Sequence, residues 1–352
     1  MEKILILGMG KVGCLVGLLL NEQFTVCGLE MNKPYYNIDF PFDIIEADVS
    51  DIQCMRETLK TFDAVVSALP YFFNKAIAEI SADLGVHYFD LTEDVKTTHS
   101  IRELAEKSKG VMIPQCGLAP GYIGILGSYL ANKFTKVRDI ELRVGALPRY
   151  PNGLLAYSFT WSSIGVLNEY INDAEVIHNG KRKNVPSLDG LEYINIEGQE
   201  FEAFTTSGGV GTMCETYEGQ VDTLNYKSIR YPGHGKLMSF LMYELLLKND
   251  RKQLEKILTE AKPPVSEDVV YVYAVVEGWC DDKLLRKEFY KAYYPKKIKN
   301  IIWRAISWTT AASICAVVEM VSTNKLPKRG FIKQEDISFD LFKKTKYGHY
   351  FE

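Results

Sequence analysis

The first 130 residues alternate short runs of apolar positions with longer runs of helical spacing. Residues 3–7 (Lys-Ile-Leu-Ile-Leu) read as a strand buried on both faces, and 11–21 as the helix that follows it. Strand-type runs recur at 24–29, 43–47, 63–69, 86–91 and 111–115, with helical patterns at 53–61, 74–84 and 99–108 between several of them. Parallel neighbours need a long crossover, and both faces of a parallel sheet must be covered, so this alternation predicts an α/β layer structure. Six strands is the count of a complete doubly wound parallel sheet of the Rossmann type.

After about residue 136 the pattern changes. Strand-type stretches at 139–146, 156–161, 174–178, 192–207, 221–230 and 268–279 follow one another through turns, with Asn179-Gly180 as a hairpin turn. A helix is expected at about 234–247. Consecutive strands of this kind predict a second, α+β domain with a mixed or antiparallel sheet. The apolar stretch 305–321 reads as a buried helix, which needs a large partner surface, and the aromatic tail 331–352 is not read as disordered. The expected layout is a dinucleotide-binding domain over 1–127, to which 305–352 returns, and a substrate-binding and dimerisation domain over 128–304. A homodimer is expected because the second sheet otherwise leaves an open edge.

Length and composition agree with two globular domains. The chain has 352 residues, 47% hydrophobic and 24% charged, against roughly 150 residues per domain. Its 41 basic and 45 acidic residues give a net charge of −4, which offers no general attraction to nucleic acid or to anionic membranes. The seven cysteines are scattered without a Cys-x-x-Cys pair, and no histidine has metal-ligand spacing, so neither a disulfide framework nor a metal site is expected. The first residues lack the layout of a signal peptide, and Lys11 and Glu319 interrupt the longest apolar stretches; a soluble, cytoplasmic protein is expected.

Gly8-Met9-Gly10-Lys11-Val12-Gly13 is a G-x-G-x-x-G that closes the first strand and opens the first helix. In this motif the first glycine makes the tight turn, the second lets backbone approach a pyrophosphate, and the third lets helix and strand pack closely. The helix start then presents N–H groups and a positive dipole end to the phosphates. Glu30 ends the second strand seventeen residues past Gly13. An acid there accepts hydrogen bonds from the adenosine ribose and repels a 2′-phosphate, which favours NAD over NADP. Asp48, after the third strand, is a candidate for the adenine amino group or an ordinary turn residue. Ala68, Leu69 and Pro70 end the fourth strand at the carboxyl edge, where ligands sit in such sheets.

Several phrases stand together: Ser67-Ala68-Leu69-Pro70, His87-Tyr88-Phe89-Asp90-Leu91-Thr92 and Gly117-Leu118-Ala119-Pro120-Gly121. The second half adds Val144-Gly145-Ala146-Leu147-Pro148, Trp161-Ser162, Thr206-Ser207-Gly208-Gly209 and Tyr226-Lys227-Ser228-Ile229-Arg230-Tyr231-Pro232-Gly233-His234. In this order they resemble the saccharopine dehydrogenase superfamily, most of all its lysine 6-dehydrogenase branch. The resemblance implies oxidation of a carbon–nitrogen bond of an amino acid with a nicotinamide cofactor. The saccharopine-forming branch carries an aspartate where this chain has Ala119 and an arginine where it has Ile164. Losing both points to a substrate smaller than the triply carboxylated saccharopine, a basic amino acid such as lysine.

Such chemistry requires a neutral amine, a C–H aimed at nicotinamide C4 and a group that fixes the substrate carboxylate. Arg230 is the first candidate for the carboxylate, because a guanidinium binds it in a bidentate fork and stays charged. Lys227 could ligate the same group or accept a proton, and His234 is a candidate general base. Asp90 could orient the amine or the nicotinamide, and Cys116 reads as a small residue beside the nicotinamide. Trp161 and Tyr170 are candidate pocket walls. Reductive coupling of an amine to a keto acid or aldehyde, and a non-catalytic NAD-binding regulator, remain open. A regulator would have no need of Arg230, Lys227 and Asp90 converging on one cleft.

If Glu30 sets the cofactor, NAD binds at least about tenfold more tightly than NADP, since a 2′-phosphate against a carboxylate costs ~1.4 kcal/mol or more. Equal affinities in a fluorescence titration would refute the assignment. Glu30→Ala narrows the gap.

Overall fold

A computed structural model describes all 352 residues. The chain divides into two compact units, one of residues 1–125 with 307–352, the other of 126–306.

In the first unit, strands Lys3–Leu7, Thr25–Glu30, Ile44–Glu46, Ala64–Ser67, His87–Asp90 and Val111–Ile113 form one parallel sheet. In chain numbering its order is 3-2-1-4-5-6, the doubly wound arrangement. The first, second and fourth strands meet in register, with Leu7 beside both Leu29 and Ser67. A short seventh strand, Gly330–Phe331, adds in parallel beside Val111–Ile113 and comes from the far end of the chain. The helix Ala305–Ser322 is long and apolar enough to cross a membrane by length and composition, yet 83% of it is buried within the protein. Aromatic packing explains why the tail is ordered: Tyr122 and Phe351 stack at 4.1 Å, and the Tyr347 hydroxyl donates to the Leu19 carbonyl.

The second unit is built on a mixed sheet. Its strands run in the spatial order Glu192–Ile196, Gln199–Thr205, Thr223–Arg230, Lys136–Pro148, Asp268–Cys280 and Lys283–Tyr293. Only Thr223–Arg230 and Lys136–Pro148 pair in parallel, placing Lys227 beside Arg143. A hairpin of Ala174–His178 and Lys181–Val185 joins through Asn179-Gly180, where both residues have positive φ, the backbone that a tight two-residue hairpin requires.

Three details differ from the hydrophobic pattern. Residues 156–161 alternate apolar and polar positions but form no strand: Ala156 turns left-handed at φ 47°, and the segment has no ladder partner. The stretch 192–207 is two strands, because Glu197 and Gly198 make a second positive-φ turn. The helix from His234 is regular only to Ser239. It then widens, so that the Leu245 N–H reaches the Phe240 carbonyl at 3.0 Å, and Leu246 ends it at φ 57°.

A candidate dinucleotide turn and a buried arginine cluster

The first unit carries the glycine turn at the carboxyl end of its first strand. Gly8 sits at φ 86°, and a Cβ there would press on the Ala68 carbonyl oxygen at 3.1 Å and Leu69 at 3.2 Å. At Gly13 a Cβ would overlap the Gly8 carbonyl oxygen, so only glycine lets the helix Gly13–Leu20 start this close to the turn. At Gly10 a Cβ would meet nothing within 4 Å; this position faces open space, which suits the approach of a phosphate. Val12 precedes the helix, and the Lys11 ammonium lies 5.6 Å from the Tyr35 ring centre. Pro70 starts the helix Tyr71–Leu84 just behind Ala68 and Leu69. These residues fit the pyrophosphate half of a dinucleotide.

Glu30 is already engaged by protein. One carboxylate oxygen accepts the Met9 N–H at 2.8 Å and the other the Met31 N–H at 2.9 Å. A carboxylate oxygen has two lone-pair directions, so ribose hydroxyls could still reach it. Asp48 accepts the Ser50 N–H at 2.8 Å in an exposed turn, which holds its pKa below the usual carboxylate range.

Asp90 is wholly buried and has no free oxygen edge. It accepts the Tyr88 hydroxyl at 2.8 Å, the Thr92 and Gln115 N–H groups at 2.9 Å each, and the Asn74 amide at 3.4 Å. Burial pushes its pKa up to about 6 against those hydrogen bonds. In this geometry Asp90 ties the fifth strand to the loop after the sixth; it does not present an oxygen to an amine. Cys116 is buried in that loop, with its thiol 3.1 Å from the Ile113 carbonyl and the Gln334 amide donating to its sulfur. Burial drives that thiol's pKa well above its ordinary value, so it stays protonated.

The second unit holds the other candidates, and strand geometry separates two of them. Side chains three apart on one strand point to opposite faces, and Lys227 and Arg230 both belong to Thr223–Arg230. The expected convergence of the two on one cleft is therefore corrected. Lys227 donates to Glu192 at 2.7 Å, and the buried Arg143 donates to the other oxygen of the same carboxylate. Burial opposes ionisation of Glu192, but Arg143 and Lys227 outweigh it and hold its carboxyl below the usual range.

Arg230 lies on the other face, buried and flanked by two phenols. Its Nε donates to the Tyr170 hydroxyl at 2.6 Å and an Nη donates to the Ile229 carbonyl at 2.8 Å. Its guanidinium carbon is 4.9 Å from the Tyr157 ring centre and 5.5 Å from that of Tyr170. The buried Glu169 carboxylate acts on it through space.

His234 completes this cluster. Its Nδ1 is 2.9 Å from the Leu155 carbonyl, which can only accept, so Nδ1 carries the proton. Its Nε2 then accepts from the Tyr170 hydroxyl at 3.1 Å, and that oxygen in turn accepts from Arg230. Burial first, and the Arg230 charge second, push the His234 pKa down to about 3. With both ring nitrogens occupied, His234 is placed to orient Tyr170 and Arg230 instead of serving as a free base. The sequence pointed to Tyr170 only as a wall; Glu169, Arg143 and Glu192 carried no local signal beyond a charge inside a helix or strand, and Tyr157 carried none.

A doubly wound nucleotide sheet joined to a mixed-sheet unit with a buried cation is the plan of a two-domain dehydrogenase. The family described as the saccharopine dehydrogenase NADP binding domain matches residues 4–113, and the saccharopine dehydrogenase C-terminal domain matches 117–345. The chain belongs to the saccharopine dehydrogenase family. It is 23% identical over 289 residues to the mitochondrial alpha-aminoadipic semialdehyde synthase of Rattus norvegicus, covering 74% of this chain and 30% of that protein. It is 22% identical over 209 residues to the saccharopine dehydrogenase (NADP(+), L-glutamate-forming) of Schizosaccharomyces pombe, covering 56% of this chain and 46% of that protein. The chain thus spans about a third to a half of these relatives. The apo saccharopine dehydrogenase (L-Glu forming) of Saccharomyces cerevisiae shares the fold, with a TM-score of 0.77 at 17% identity over 99% of this chain and 98% of that one.

His234 provides a pH test. Its folded pKa of about 3 lies below the ordinary value, so the unfolded chain binds more protons between about 6.5 and 3. Stability is fully present above pH 6.5 and falls as pH drops through that window, by ~2 kcal/mol between pH 7 and pH 5. In denaturant unfolding, His234→Gln flattens this slope while the Asp90 contribution, which has the opposite sign, cancels in the comparison. An unchanged slope would show that His234 is accessible and titrates normally.

Proposed function

We propose that this protein is a nicotinamide-dependent dehydrogenase that oxidises a carbon–nitrogen bond of an amino acid. The observation that carries the reading is Arg230, a buried guanidinium with aromatic walls and no ion-pair partner within reach among its hydrogen bonds. A desolvated fork of this kind suits a carboxylate better than water does. The glycine turn with an open Gly10 suits the phosphates of a dinucleotide, and Glu30 favours NAD. The names of the family and of its members, which include NADP-dependent saccharopine dehydrogenases, support a nicotinamide cofactor and leave the 2′-position to Glu30.

The finer reading is oxidative deamination of L-lysine or a related basic amino acid. It rests on Ala119 and on the half-exposed Ile164 at the start of helix Ser163–Ile171, apolar positions where the saccharopine-forming pattern is ionic. Reductive coupling of an amine to a keto acid or aldehyde is the second reading, favoured by the relatives' names. When bound, the cofactor accepts or returns the hydride. The Arg230 guanidinium binds and orients the carboxylate, Tyr170 and His234 hold that guanidinium, and the surrounding aromatic rings exclude water.

The second unit is also proposed to pair two copies. The edge strand Glu192–Ile196 and its approach expose Leu191 and Tyr193, and the opposite edge, Lys283–Tyr293, exposes Leu284 and Leu285 among Lys283, Arg286 and Lys287, so the sheet offers open apolar edges to a second copy. Light scattering at micromolar concentration reads this directly, and a monomer refutes it.

Arg230→Ala leaves NAD affinity nearly intact and lowers kcat/KM by ~100-fold or more, because a buried charge-assisted hydrogen bond and the aim of the reacting carbon are lost together. Arg230→Lys rescues little, since an ammonium cannot reproduce the planar fork. NADH formation with L-lysine and with other amino acids measures both. Unchanged kinetics would place the carboxylate elsewhere.

A further inference from the structure

Two phenols flank Arg230, and they differ in one respect. The Tyr170 hydroxyl accepts from Arg230 and donates to His234. The Tyr157 hydroxyl is buried and has no hydrogen-bond partner. A buried hydroxyl without a partner opposes folding, and native proteins keep few of them. Packing does not explain it. The Tyr157 ring lies edge-on to Phe159 at 5.6 Å, 5.0 Å from the His234 ring and 4.9 Å from the Arg230 guanidinium carbon. A phenylalanine would make all three contacts.

The charge beside it sets what this hydroxyl can do. Its oxygen lone pairs are drawn toward the cation, which leaves the proton free to point at an anion. Burial raises the phenol's pKa against the pull of Arg230, so it keeps its proton near neutral pH. Water is a weak competitor: the cavity of about 10 Å³ that Tyr157, Tyr170, His234 and Leu155 help to line is close to the minimum for one water, and its exposed lining is apolar.

We infer that the Tyr157 hydroxyl is a second substrate-binding group, donating a hydrogen bond to the carboxylate that Arg230 neutralises. The inference rests on the reading of Arg230 above and adds to it a neutral donor from an irregular segment. A fork plus a hydroxyl fixes the carboxylate plane as well as its charge, and so selects amino or keto acids over simple amines.

The test uses the full chain with Tyr157→Phe and Arg230→Ala, and L-lysine, 2-oxoglutarate and cadaverine as probes in the presence of NAD. Without ligand, Tyr157→Phe is expected to melt at the parent's temperature or above, because no bond is lost. Calorimetry is expected to show the binding of whichever carboxylate probe the parent takes weakened roughly tenfold, with cadaverine unaffected. Unchanged affinity for that probe overturns the inference, and a lower melting temperature with it marks a structural water as the hydroxyl's partner. Equal losses for the carboxylate probe and cadaverine overturn it too, as a general disturbance of the pocket. If Arg230→Ala loses the carboxylate probe and Tyr157→Phe keeps it, the inference falls while the reading of Arg230 stands. If the parent binds neither carboxylate probe, both fall.

Discussion

A peptide N–H that leaves a strand or opens a turn inside a protein must find an acceptor, and this chain repeatedly meets that need with a carboxylate. Asp63 takes the N–H groups of Glu2 and Lys3, and Glu30 those of Met9 and Met31. Asp90 takes Thr92 and Gln115, Glu202 takes Gly233 and Gly235, and Asp268 takes Ala305 and Ile306. Each acid accepts two backbone donors from the ends of elements or the turns between them. Asp268 does so at the point where the chain leaves the second unit for the long helix Ala305–Ser322, and Glu202 at the start of the helix that carries His234. Charge-assisted bonds of this kind are stronger than neutral ones, and a carboxylate has enough lone pairs to hold two donors at once.

The same constraint explains why two acids with a functional look serve the backbone first. Glu30 pins the glycine turn to the end of the second strand, so the residue that would read the ribose also sets the shape of the phosphate turn. Asp90 is further along that scale: four donors surround it, and it holds the loop after the sixth strand. Acids at strand ends in such sheets are natural candidates for ligand contact, yet a strand end is also where unpaired N–H groups accumulate.

In the second unit the governing cost is desolvation. Arg230 is taken out of water and compensated by a phenol oxygen, a carbonyl, two aromatic faces and the field of Glu169. Burial, and then that cation, keep His234 neutral, and the neutral ring, with its proton on Nδ1, decides which way the Tyr170 hydroxyl points. On the opposite sheet face two cations share the single Glu192 carboxylate. One strand thus separates an ion cluster around Glu192 from a guanidinium buried among aromatic rings.

The nucleotide sheet was legible in the sequence because its central strands are buried on both faces, and continuous apolar runs such as Lys3–Leu7 mark themselves. The glycine turn was legible for a steric reason: a Cβ at Gly8 or Gly13 has no room, and so those positions announce the geometry. The hairpin at Asn179-Gly180 showed itself through its need for positive φ. Other features depended on partners that lie far away in the chain. Residues 156–161 alternate like a strand, but alternation reports only an extended backbone, and no neighbouring strand was there to pair with them. Arg230 and Lys227 are close in sequence and look like one constellation; the pleat sends them to opposite faces, where Tyr170 and Glu192, sixty and thirty-five residues away, give them separate surroundings. Whether a polar residue is a ligand group or a clasp is decided by which donors and acceptors already fill its valence, and those come from elements that only the tertiary structure brings together.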